Sequence, residues 1–163
     1  MDIQKIKSLI EGSEKASELK AENFFLSSLM LVSRSLLSPP HSVIVNFYNK
    51  LRNELASFSA SETGLEFSGL SPPMRETDIM PLEIEKAAVE AGEVAKKCGH
   101  RAQEETISRI VSVLRTSTNA SAENGPCWQV NIFLKDFQVV SVVFDAENGE
   151  EIASSKMSLS SKL

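Results

Sequence analysis

The chain has 163 residues, 42% of them hydrophobic, and 22 acidic against 17 basic side chains give it a net charge of -5. That size suits one domain with a sizeable core and excludes a pair of full enzyme domains. Charges of both signs are spread along the chain with no basic stripe, which argues against nucleic acid as a partner.

The opening MDIQKIKSLIEGSEK interrupts its apolar residues with charges every few positions, so it lacks the apolar core of a signal peptide. FFLSSLMLVSRSLL is broken by Arg34 and several serines and is too short to span a bilayer. A cytoplasmic protein with no membrane contact is expected. Only two cysteines occur, Cys98 and Cys127, without the CxxC spacing of zinc or redox sites; they read as free thiols in a reducing compartment.

In chain order, a short leading helix is predicted over residues 3 to 10, followed by a longer one from Ala16 to Leu37. Ser38-Pro39-Pro40 then resembles a capped helix start. Beyond it, Ile44, Phe47, Tyr48, Leu51, Leu55 and Phe58 recur at spacings of three and four, which predicts another helix. Residues 1–60 therefore read as a helical part built around an antiparallel helix hairpin. Residues 57–80, rich in serine, glycine and proline, read as a long loop in which Leu65-Glu66-Phe67 offers an edge strand.

Residues 81–115 read as helices. Ile84, Ala87, Ala88, Ala91, Val94, Ala95 and Cys98 form one apolar stripe, with Gly99 as a left-handed cap. Ile107, Ile110, Val111 and Leu114 form the apolar face of a second helix. After the small polar residues of TSTNASAENGP, Trp128, Val130, Ile132 and Leu134 alternate with Gln129, Asn131, Phe133 and Lys135, the period of a half-buried strand. FQVVSVVF is apolar on both faces and rich in valine, so it reads as an interior strand. Asn148-Gly149 is a turn signal leading to a third short strand. The expected sheet spans 127–153, and 154–163 reads as a disordered tail. The predicted fold class is α+β, one domain over 1–163, with a helical N-terminal half and helices packed on a small antiparallel C-terminal sheet.

The order of a tryptophan-led strand, a valine-rich strand and the D-A-E-N-G-E turn resembles the W-x-V … V-x-V-D-x-x-T-G-E-V close of PepSY-type domains and of some NTF2-fold immunity proteins. Trp128, Val130, Val142, Asp145, Gly149 and Glu150 carry the resemblance, with Asn148 where threonine is usual. The alanine-rich segment from Ile84 to Cys98 is similar to the helix preceding the sheet in PepSY-like units. The resemblance implies a helix on a small antiparallel sheet, in families whose members mostly bind other proteins; NTF2-like folds also include enzymes.

Catalytic chemistry finds little support. His41 and His100 are the only histidines. Cys98 and His100 could form a thiolate–imidazole pair near Lys96, Lys97 and Arg101, but Cys98 lies on the apolar stripe and His100 suits a helix C-terminus. No glycine loop is followed by the lysine of a phosphate cradle, and the carboxylates lie at the spacing of solvated helix faces. No catalytic, cofactor or metal residue is therefore assigned. Asn119-Ala120-Ser121 matches a glycosylation acceptor but reads as coincidental, and Ser161-Lys162-Leu163 matches a peroxisomal address, the alternative location.

By elimination, the sequence points to a non-enzymatic protein-binding module of the immunity or inhibitor kind. Its acidic balance suits a basic protein partner, with Glu62, Glu66, Glu76 and Asp78 of the long loop as candidate contacts. A small NTF2-like ligand binder or enzyme, with a pocket between helices and sheet, is the alternative. A structural or assembly subunit that forms a homodimer is a further one.

Overall fold

The computed structural model describes residues 1–73, 78–117 and 125–159. Two short helices open the chain, α1 (Ile3–Glu11) and α2 (Glu14–Ala21). Asp2 caps the first by accepting from the Lys5 amide at 2.7 Å, and Ser13 caps the second by accepting from Ala16 at 3.2 Å. Each side chain satisfies an amide that the helix leaves unpaired. The chain then runs through four antiparallel strands, β1 (Phe25–Ser33), β2 (Ser42–Asn49), β3 (Glu54–Ser61) and β4 (Gly64–Ser71). A 3-10 turn at Ile84–Lys86 precedes α3 (Ala91–Lys97), and a second at Glu104–Thr106 follows it. Four more strands follow: β5 (Ile107–Thr116), β6 (Pro126–Leu134), β7 (Gln138–Asp145) and β8 (Glu151–Ser158).

All eight strands form one sheet in the order β4-β3-β2-β1-β5-β6-β7-β8. Each half is a helix-led meander, and the halves join where β1 pairs antiparallel with β5. The architecture is therefore a large antiparallel sheet with three short helices, which overturns the helix hairpin and small sheet expected from the sequence. Residues read as helical between Ala16 and Phe58 continue α2 only to Ala21 and then form β1, β2 and most of β3. The apparent helical spacing arises because a hairpin turn interrupts a two-residue period. Leu51, placed on the presumed helix face, sits at that turn and is 87% exposed. Val43, Val45 and Phe47 instead alternate inward along β2.

β5 misled for a different reason. The register slips between Ile107 and Arg109, leaving Ser108 unpaired, so Ile107 and Ile110 both turn inward although three positions apart. A β-bulge here imitates helical periodicity. The 57–80 loop resolves in part into the β3–β4 hairpin, and β8 continues to Ser158 through the start of the expected disordered tail. Gly99 makes no left-handed cap, since α3 ends at Cys98 in ordinary helical geometry.

The helices cover one face of the sheet. Across the paired strands, one row runs Phe67–Phe58–Val45–Leu29–Leu114–Trp128–Phe144, one residue from each strand from β4 across the sheet to β7. Phe47, Phe58 and Phe67 add edge-to-face contacts with ring centroids 5.7 and 5.4 Å apart. Ile3, Ile6 and Ile10 of α1, with Val94, Ala95 and Cys98 at α3, close over this face in a single core. Trp128 is fully buried there; removing a side chain of its size from water is worth on the order of 5 kcal/mol.

Candidate functional site

The face turned away from the helices alternates apolar and hydrogen-bonding side chains. The crossing segment of residues 78–82 runs along the β1 end, where the Leu82 amide donates to Leu26 O at 2.8 Å and Thr116 Oγ1 donates to Pro81 O at 2.6 Å. Held at both bonds, it forms the wall of a cleft of about 620 Å³. Ser28 and Met30 of β1, Asn46 of β2, Leu55 of β3, Val113 and Arg115 of β5 and Asn131 of β6 line the floor and sides. Asp78, Ile79 and Met80 contribute from the crossing segment, and Pro73 from just beyond β4.

Two hydrogen-bond chains fix the polar lining. Asn46 Nδ2 donates to Ser28 Oγ at 3.1 Å, and its Oδ1 accepts from Ser57 Oγ at 2.8 Å, so the amide is held from both neighbouring strands. On the other side, Arg115 Nη2 donates to Gln129 Oε1 at 3.1 Å, and Gln129 Nε2 donates at 3.3 Å to Asn131 Oδ1 and to Ser141 Oγ. With its oxygen engaged, Asn131 has its amide N–H groups as further donors, and both Asn131 and Arg115 line the cleft. The apolar floor at Met30 and Val113, with Met80 on the wall, gives an adaptable surface, because thioethers repack around differently shaped guests. The cleft thus has the parts of a recognition surface: donors for carbonyl or carboxylate oxygens, a carboxylate at Asp78 and deformable apolar contacts.

Of the residues singled out in sequence, Asp78 lines this cleft. Glu66 lies on β4 opposite Ser59, at the outer end of the row that continues through Ile44 to Met30 and Val113. Glu62 belongs to the turn between β3 and β4, at the end of the sheet opposite the crossing segment. Glu62, Glu66 and Asp78 therefore do not form one patch; Glu76, Asn119-Ala120-Ser121 and Ser161-Lys162-Leu163 lie outside the described residues. Asn46, Arg115, Gln129 and Asn131 were not found from sequence. Their signal is a polar residue set next to inward apolar ones, twice in WQVNIF for Gln129 and Asn131 and once each in VIVNF for Asn46 and VLRT for Arg115, which marks the outer face of a strand.

Cys98 and His100 do not make a catalytic pair. Cys98 is fully buried, its Sγ contacts the Val94 carbonyl at 3.5 Å, and burial pushes the thiol up to about 11 against the opposing pull of Arg101. His100 is exposed beside an open hollow of about 570 Å³ that also takes in Leu36, Arg101 and Glu104. Glu104 Oε1 there accepts from the Leu36 amide at 3.0 Å, fastening the β1–β2 loop. His41 lies in that loop, with its amide donating to Val32 O at 2.9 Å, and starts no helix. Among the described residues no group of three or more His, Cys, Asp and Glu side chains could hold a metal, and no helix is long and apolar enough to cross a membrane.

No protein-family model matches the chain, and no curated protein matches it either. Among solved structures it is similar to a candidate lipoprotein from Clostridium difficile 630, at 10% identity and a TM-score of 0.54, over 88% of this chain and 89% of that one. A likeness at that identity is one of fold alone.

Proposed function

We propose that this protein is a non-catalytic binding module that receives a segment of a protein partner in the cleft on the open face of its sheet. The observation that carries the reading is the lining itself. Arg115, Gln129 and Asn131 form a linked donor array beside Met30, Val113 and Met80, within a volume of about 620 Å³. Main-chain carbonyls of a bound segment would accept from the array, while its apolar side chains would pack on the thioethers and Val113. The acidic balance of the chain, with Asp78 in the wall, favours a basic segment.

Affinity capture from the native host with the full chain tests this, using Asn131→Arg to fill the cleft and Glu62→Lys as a control at the distant turn. A partner retained by the parent and by Glu62→Lys should be lost with Asn131→Arg, whose melting temperature should stay near that of the parent. Asp78→Lys should slow association and flatten its dependence on ionic strength. Equal retention by Asn131→Arg would place the interface elsewhere.

A further inference from the structure

The sheet has two edges, and they are finished differently. β4 is interrupted by a register slip opposite Ser57 and Phe58, carries Gly69 at φ +136, and runs directly into Pro72-Pro73. Its inward ring, Phe67, lies under the Lys15 ammonium at 5.7 Å. Bulges and prolines are the usual means by which an edge is kept from pairing. β8 has neither proline nor glycine, every one of its residues is exposed, and past its first residues it is regular to Ser158.

Main-chain directions along β8 follow from two bonds. Leu159 N donates to Phe137 O at 2.7 Å in the same register as the β7–β8 pairs, and Ala146 N donates to Pro126 O at 3.0 Å across β6–β7. Alternation then points the amides and carbonyls of Ala153, Ser155 and Met157 at β7, and leaves those of Ser154 and Lys156 facing outward with no strand beyond them among the described residues. The side chains of Ser154 and Lys156 lie on the helix side, opposite Val142 and Val140. Those of Ala153, Ser155 and Met157 lie on the open side.

We infer that β8 pairs antiparallel with β8 of a second copy of this chain, about a two-fold axis at Ser155, making one sheet continuous across both copies. Outward groups must meet outward groups, so only some registers are possible. Setting Lys156 against Lys156 of the second copy opposes like charges in a directly facing pair, which is destabilising. Centring on Ser154 sets Lys156 against the irregular start of the partner strand. The register centred on Ser155 instead has Ser154 and Lys156 exchange both main-chain hydrogen bonds, twice by symmetry, and lays Met157 over Ala153.

Charge favours the same register. The β7–β8 register slips between Ala153 and Glu151, so Glu151 returns to the helix side, next in line after Ser154. Lys156, facing Ser154 of the second copy, therefore lies diagonally between that copy's Glu151 and its Lys156; by symmetry the attractive contact occurs twice and the like-charge one once. Glu151 is already held by Arg101 at 2.6 Å, which fixes its carboxylate near the strand. The interface is isologous, as a closed two-fold dimer requires.

Sedimentation of the full chain over a concentration series, together with two cysteine variants, tests this. Ser155 would face its own copy in the non-hydrogen-bonded arrangement, with Cα atoms about 4.5 Å apart, within disulfide reach. Ser155→Cys should oxidise to a covalent dimer, while Ser154→Cys and the parent, whose two cysteines are buried, should not. Ser154→Pro removes an outward amide and spares the bonds to β7, so it should stay folded and weaken the dimer by at least roughly tenfold. A parent monomeric at every concentration with no cross-link in Ser155→Cys overturns the proposal. So does a dimer that survives Ser154→Pro unchanged, or cross-linking of Ser154→Cys in preference to Ser155→Cys. If Ser154→Pro fails to fold, the cysteine pair alone decides the register.

Discussion

The indole Nε1 of Trp128 donates a 2.8 Å hydrogen bond to the main-chain carbonyl of Val89. This bond joins the start of β6 to the segment that leads into α3, and it satisfies the polar end of a ring that is otherwise fully enclosed. An unpaired indole N–H there would carry a desolvation penalty, so the bond and the packing act together. Trp128→Phe should therefore cost about 1–3 kcal/mol through the orphaned Val89 carbonyl and lost volume, and Trp128→Ala about 3–5 kcal/mol. Denaturant melts of the two variants measure the difference.

Glu90 ties the first helix to the third. Both its carboxylate oxygens accept from the Ile3 amide at 3.1 Å, and its main chain begins α3 in a reciprocal capping arrangement with Glu93. Burial raises its carboxyl above the ordinary range, assisted by Asp2 and Glu93 and opposed by the Ile3 bond and the N-terminal charge. A carboxyl raised in the folded state favours folding while protonated, and that contribution is lost as pH rises through the folded value. Glu90→Gln keeps an acceptor and cannot ionise, so its stability relative to the parent should increase from acid to neutral pH. Glu90→Ala loses the cap and should cost about 1 kcal/mol at neutral pH. Melting curves of the three proteins across that pH range check both statements.

The raised Cys98 thiol predicts slow chemistry. Native protein at neutral pH should leave Cys98 unmodified by a thiol reagent over times that label the unfolded chain completely, because the thiolate is the reactive form. Stability should fall between pH 9 and about 11, the window in which the unfolded thiol ionises and the buried one does not. Cys98→Ala should flatten that part of the profile. Rapid native labelling of Cys98 would refute the enclosed arrangement at the end of α3.

Phe137 closes the β6–β7 turn with φ at 61° and is 68% exposed, so it pays the backbone cost of a left-handed conformation with little burial in return. Phe137→Gly, or Phe137→Asn, should raise stability by about 0.5–1 kcal/mol. A loss of stability in both variants would show that the ring contributes packing that its exposure does not suggest.

Some elements were settled by the sequence acting locally. Ile3, Ile6 and Ile10 mark α1, and the alternation from Trp128 to Leu134, the valines of β7 and the Asn148-Gly149 turn mark the C-terminal strands. In α1 and β6 an uninterrupted run of one period is long enough to exclude the other, while β7 is marked by its β-branched residues and the turn after it by Asn-Gly. β1, β2, β3 and β5 were not legible in this way. Hairpin turns and the bulge at Ser108 shift the phase of a two-residue pattern into spacings of three and four. Only the pairing of those segments with one another makes them strands, since extended backbone is satisfied by its neighbours and not by itself. The cleft belongs wholly to that second level. Asn46, Arg115 and Asn131 come from three strands separated in sequence, and they meet because β1 joins β5 at the centre of the sheet and places all three on the face the helices leave open.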